Sequence, residues 1–177
     1  MEQALEEVHL RTGVQVDHLL LFGFSAGAHF SHRFALWKPE QVKAFVAYSA
    51  GWWSDPTPSL CTVPALIMCG ENDPRYEATR AFMEQGLALH LPWIWRSYQN
   101  TDHKLTSPIR SMAEAFLSYE AAQLKSAETP PITPDPVLYG DIQTYQVVAA
   151  SEKESIPEEV RIQLPSQQIA TTWQKEN

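Results

Sequence analysis

The chain has 177 residues, enough for one domain with a real core or for a core carrying an appendage. Its hydrophobic fraction of 44% fits a globular protein, and a formal charge of -8 without a basic patch argues against nucleic acid as a partner. No apolar run approaches the roughly eighteen residues of a membrane span, and the N-terminal MEQALEEVHL carries acids where an export signal carries positive charge, so the reading defaults to a soluble cytoplasmic chain. The compartment stays open, because an export signal would lie in an upstream segment.

Residues 2–12 read as a helix with Ala4, Leu5 and Val8 on one face and Gly13 as its stop. Leu19 to Phe22 is a short, wholly apolar run, as expected for a strand covered on both faces of a parallel sheet. Ala28 to Trp37 places Phe30, Phe34 and Trp37 at helical spacing, and Pro39 ends the pattern. Ala44 to Ser49 is a second strand, Ser49 to Trp53 the loop leaving it, and Pro64 to Gly70 a third strand running into Glu71-Asn72-Asp73. Ala78, Ala81, Phe82 and Leu89 mark a helix, Trp93 to Tyr98 a fourth strand, and Ser107 to Leu124 a long helix.

Strands alternating with helices predict a parallel, layered α/β sheet. The connection between the second and third strands reads as a loop, which departs from strict alternation. From Thr129 the composition shifts: residues 130–136 pack four prolines into seven positions and read as a stiff linker. The chain thus divides into a core over 1–126, a Pro-rich linker over 127–137 and an extension over 138–177. That extension holds two strand-like pieces, Thr144 to Ala149 and Val160 to Leu164, with too few apolar residues to fold alone. Cys61 and Cys69 flank the third strand, about 26 Å apart if extended, so they are expected as free thiols. With no Cys/His cluster at zinc spacing and no phosphate-cradling glycine loop, neither metal nor cofactor is expected.

The stretch Gly23-Phe24-Ser25-Ala26-Gly27 sits between the first strand and its helix, so Ser25 falls on a sharp turn at the sheet edge, flanked by small residues that permit the bend. A serine hydroxyl needs a base within hydrogen-bond reach, and the base needs an acid to orient it. Asp73 follows the third strand and His103 the fourth, and the C-terminal ends of parallel strands share one edge. Glu71, Asp102 and Asp55 are competing carboxylates. Among the other histidines, His29 and His32 belong to the helix after Ser25, while His18 and His90 precede strands and belong at the opposite edge. Trp52 and Trp53 lie in the loop beside Ser25 and are even candidates for the wall of an apolar pocket; Trp93 and Trp95 read as core.

The ordered set GFSAGAHFSHRFAL, SAGWW, CGENDP and NTDH, over residues 2–124, resembles the C-terminal half of an α/β-hydrolase. The nearest branch is the esterases similar to polyhydroxybutyrate depolymerases and dienelactone hydrolases. The resemblance implies Ser25 as nucleophile, His103 as general base and acid, Asp73 as orienting carboxylate and the Ala26 N–H as an oxyanion donor. Phe24, Trp52 and Trp53 become candidate substrate contacts. It implies a partial fold of about four parallel strands that lacks the N-terminal strands, and with them the second oxyanion donor.

Two functions follow. One is a serine hydrolase cleaving small-molecule carboxylic esters, with a serine peptidase as a lesser variant. The other is a truncated or non-catalytic remnant serving as a binding module. In either case the first strand would be a bare edge, open to self-association or to the missing N-terminal segment.

Overall fold

A computed structural model describes residues 2–126 and 137–174; the greater part of the proline-rich linker lies outside the described residues. Helix α1 (Glu2–Thr12) is followed by β1 (Leu19–Phe24), α2 (Ala26–Trp37), β2 (Val42–Tyr48), β3 (Ala65–Gly70), α3 (Tyr76–Ala88), β4 (Trp93–Tyr98) and α4 (Ser107–Ser126). The four strands form a parallel sheet in the order β1-β2-β3-β4. Helix α2 covers β1 and β2, α3 covers β3 and β4, and α4 lies across β1 and β2. Since α2 already occupies one face of those two strands, α4 takes the other, and the sheet is sandwiched between helix layers.

The core follows from the sequence pattern. Strand β3, ALIMCG, is buried throughout, as a continuous apolar run in a two-sided parallel sheet should be, and β4, WIWRSY, is buried throughout even at Arg96 and Ser97. Trp93 and Trp95 are core residues, 2% and 0% exposed. In α3 the buried face is Thr79, Phe82, Met83 and Gly86, whereas Ala78, Ala81 and Leu89 face outward. The reading of that stripe is one step off because alanine fits either side of a helix and Gly86 is selected for something periodicity does not show: a Cβ there would meet the Trp93 ring at 2.1 Å. Helix α1 ends at Gly13, whose φ is 71° and whose N–H bonds the His9 carbonyl. Its Val8 and Leu10 stay exposed.

The C-terminal residues are more organised than their two strand-like pieces suggest. Strands β5 (Leu138–Asp141), β6 (Val147–Ala149) and β7 (Arg161–Leu164) form an antiparallel sheet in the order β6-β5-β7, and α5 (Gln167–Gln174) packs on it. The piece over 144–149 is a strand only from Val147, because Asp141 closes a turn: its Oδ1 accepts N–H bonds from Gln143 and Thr144 at 2.7 and 3.2 Å. This unit lies beside β4 and α4. Trp173 of α5 is fully buried and donates its Nε1–H to the Trp95 carbonyl at 2.6 Å.

Candidate active site

The turn between β1 and α2 places Ser25 at φ 55° and ψ -115°, a conformation that a non-glycine residue holds only when its surroundings fix it. Its N–H donates to the Tyr48 carbonyl at 2.9 Å, and its own carbonyl accepts from Ala28 and His29 at 3.0 and 3.3 Å. Gly23 is required here, because a Cβ on it would lie 2.1 Å from the Gly27 carbonyl oxygen. Gly27 is not: a Cβ there meets nothing within 4 Å. Ala26, the first residue of α2, has no carbonyl partner for its N–H within the helix and stands at the helix's positive end.

Positive φ angles recur at the same sheet edge, at Ser49 just after β2 and at Asn100 two residues after β4. Gly70 ends β3 so close to the next loop that a Cβ would sit 2.2 Å from the Thr101 carbonyl oxygen, and the Asn72 N–H bonds that same oxygen at 3.0 Å. The loops after β3 and β4 are thereby held against each other.

That approach brings Asp73 and His103 together. His103 Nδ1 lies 2.7 Å from Asp73 Oδ2, and the Asp73 side chain is fully buried while the His103 side chain remains 28% exposed. The other carboxylate oxygen, Oδ1, accepts from the Arg75 backbone N–H at 3.0 Å and its guanidinium at 3.2 Å. Burial pulls the Asp73 carboxyl upward, but bonds from the Arg75 N–H, His103, the Ser49 hydroxyl and the Arg75 guanidinium outweigh it and hold it below the usual carboxylate value. An ionised Asp73 makes Nδ1 the protonated ring nitrogen and leaves Nε2 as an acceptor.

The rival carboxylates are engaged elsewhere. Asp102 is exposed and paired with Lys104 at 2.8 Å, Glu71 accepts from the Ser97 hydroxyl at 2.7 Å, and Asp55 is exposed.

Phe24 ties Ser25 to the histidine loop. Its ring centroid is 4.7 Å from that of His103 and 5.3 Å from that of Tyr48, so it lies between them. The Tyr48 hydroxyl in turn donates to the Lys104 carbonyl at 2.9 Å. Among the described residues, the Ser25 hydroxyl makes no hydrogen bond, to His103 or to anything else.

The tryptophan pair splits. Trp52 is 48% exposed, with the His29 ring 5.4 Å away and the Arg33 guanidinium 4.9 Å from its centroid. Beside it, His29, Phe30, Arg33, Phe34 and Trp37 line a groove of about 510 Å3 that starts one helical turn beyond Ser25. Trp53 packs inward, 4.2 Å from Phe82 in a stacked pair and 4.9 Å from His32. A larger cavity of about 910 Å3 lies away from Ser25, between the starts of β3 and β4 and the C-terminal unit.

Several positioning groups escape the sequence reading. His29 Nε2 accepts the Gly51 N–H at 2.7 Å, and His32 donates from Nδ1 to the Ala28 carbonyl at 2.8 Å while its Nε2 accepts the Ser54 N–H at 3.2 Å. The two histidines thus pin the loop after β2 to α2. Their spacing of three residues on one helix face is the available signal; Tyr48 and Arg75 carry none.

No family model matches the chain, and no curated protein sequence matches it. Solved structures do. It is similar to FphF of Staphylococcus aureus, a fluorophosphonate-binding serine hydrolase seen with substrate bound, at TM-score 0.53 and 16% identity over 67% of this chain and 61% of that one. It is similar to SOBER1 of Arabidopsis thaliana, at TM-score 0.51 and 18% identity over 68% and 64%. A ferulic acid esterase matches at TM-score 0.57 and 14% identity over 67% and 58%. The chain spans less than two thirds of the length of each. The likeness shows that, over the matched part, the chain has the layered α/β-hydrolase fold on which these proteins are built.

Proposed function

We propose that this chain carries the reacting groups of a serine hydrolase that cleaves carboxylic esters through an acyl-enzyme. Ser25 is the nucleophile at the elbow between β1 and α2, His103 the general base and acid, and Asp73 the carboxylate that fixes the imidazole. His103 Nε2 takes the hydroxyl proton as Ser25 Oγ attacks the ester carbonyl. The oxyanion faces the Ala26 N–H, where the dipole of α2 favours negative charge. Collapse breaks the ester C–O bond, and His103 gives its proton to the departing alcohol. Water then attacks the acyl group, His103 accepts its proton, and the carboxylic acid leaves as Ser25 regains its hydrogen. Phe24 and Trp52 offer aromatic surface to the substrate; Trp53 works from behind, holding its loop against α2 and α3.

The observation that carries this reading is the 2.7 Å contact of His103 Nδ1 with the buried Asp73, against the ring of Phe24, the residue that precedes a serine at positive φ. The test is labelling of the folded full chain with a fluorophosphonate probe. We expect modification of Ser25, absent in Ser25→Ala and at least about a hundredfold slower in His103→Ala, the usual contribution of a general base. Labelling that survives His103→Ala unchanged overturns the assignment.

A second reading, a non-catalytic remnant acting as a binding module, draws on the Ser25 hydroxyl, which makes no hydrogen bond among the described residues. A folded chain that takes no label favours it.

A further inference from the structure

The C-terminal unit reaches the loop that holds Asp73 by way of Ser97 in β4, through the hydroxyl of Tyr145. Tyr145 sits at φ 58°, fixed there by the turn that Asp141 closes and by its own N–H bond to the Asp141 carbonyl at 2.8 Å. Its ring is clamped, with the Arg96 guanidinium 4.2 Å from its centroid and the Trp173 ring 4.8 Å away. A ring so held directs its hydroxyl to one place, the free edge of β4.

There the Ser97 hydroxyl meets Glu71 and the hydroxyls of Tyr145 and Tyr76. Tyr145 Oη accepts the Ser97 backbone N–H at 2.9 Å and lies 2.7 Å from Ser97 Oγ, which donates to Glu71 Oε1 at 2.7 Å. Ser97 has one hydroxyl proton and it goes to the Glu71 carboxylate, so the Tyr145 hydroxyl must donate to Ser97 Oγ. The relay runs from Tyr145 through Ser97 to Glu71, with its negative end anchored two residues before Asp73. Ser97 is 4% exposed, so the relay's centre is shielded from water. The Glu71 N–H, bonded to the Tyr98 carbonyl at 2.9 Å, closes the same turn from the backbone side.

We infer that Tyr145 is a positioning residue for the candidate triad: the C-terminal unit fixes the acid loop, and with it the Asp73–His103 pair, through Ser97 and Glu71. The inference rests on the hydrolase reading for its activity readout, not for its structural one. Its test uses the full chain with Tyr145→Phe, which keeps the clamped ring and removes the hydroxyl, with Glu71→Gln and with the double variant.

Each single change should slow fluorophosphonate labelling of Ser25 about fivefold, the effect of losing roughly one net hydrogen bond. For an ester that turns over, kcat falls and KM stays. The double variant should lose no more than either single one, because both break one relay. Labelling of Tyr145→Phe at the wild-type rate, or losses that multiply in the double variant, overturns the inference. Should Tyr145→Phe fail to fold, Glu71→Gln decides it in the same way.

If the wild-type chain takes no label, the hydrolase reading fails while the positioning claim is still measured, from the solvent exchange of the His103 Nδ1 proton by NMR. That proton should exchange several times faster in Tyr145→Phe and in Glu71→Gln, and unchanged exchange in both overturns the claim.

Discussion

The two edges of the main sheet are built from similar sequence and meet different fates. β1, LLLFGF, pairs with β2 on one side, and among the described residues nothing pairs with the other; Phe22 in its middle is 43% exposed. β4, WIWRSY, is equally an edge in its parallel sheet, yet every residue of it is buried. The difference lies in what the chain supplies. At β4, side chains replace a fifth strand: Trp173 donates to the Trp95 carbonyl and Tyr145 accepts from the Ser97 N–H. An edge need not be paired to be protected, provided that its polar groups are satisfied and its flank is covered.

The largest effect should come from stripping that cover. Trp173→Ala removes a fully buried ring and orphans the Trp95 carbonyl, and is expected to cost about 3–5 kcal/mol. Urea unfolding measures it. A loss below about 1 kcal/mol would mean that the C-terminal unit merely rests on β4.

How far the sequence discloses this contrast depends on the range of the interaction. β1 is legible as a strand because it is a short apolar run and β4 because it is a short aromatic and β-branched stretch, each between polar loops, and the convergence of Asp73 and His103 follows from their places after parallel strands. The cover on β4 is not legible, since Tyr145 and Trp173 read as two aromatics in a polar tail until Asp141 turns the chain and aims them. α5 escapes because it is only eight residues long, although its buried residues Ile169, Ala170 and Trp173 fall on one helix face. What the histidines of α2 hold is not legible for a related reason: their partners are backbone N–H groups some twenty residues away, and backbone carries no sequence signal.

Those histidines make the β1 side the acid-sensitive one. Burial is the main cause that lowers His32, to about 4 from its ordinary 6.5, so it is neutral in the fold. Below pH 6.5 the unfolded chain binds a proton there that the folded chain does not, so stability falls as pH drops from 6.5 to about 4 and levels off below. The full contribution is about 3 kcal/mol. His32→Gln keeps a donor and an acceptor at similar reach but does not titrate. Its stability should fall by correspondingly less over that window, measured by denaturant unfolding at successive pH values. Parallel pH curves for the two proteins would dismiss the His32 clamp as the source.

The smallest effect on stability, and the sharpest on behaviour, is expected at the bare edge. A lysine in an edge strand blocks pairing because a second strand would have to bury its charge. Phe22 is already 43% exposed, so Phe22→Lys loses little packing and should change stability by no more than about 0.5 kcal/mol. The wild-type chain should associate with itself as concentration rises, read by sedimentation, and Phe22→Lys should stay monomeric. Trp173→Ala should add a second mode of association through β4 that Phe22→Lys does not suppress. Equal association of the wild type and Phe22→Lys would mean that β1, bare as it is, does not pair, and that an exposed apolar strand needs more than free backbone groups to recruit a partner.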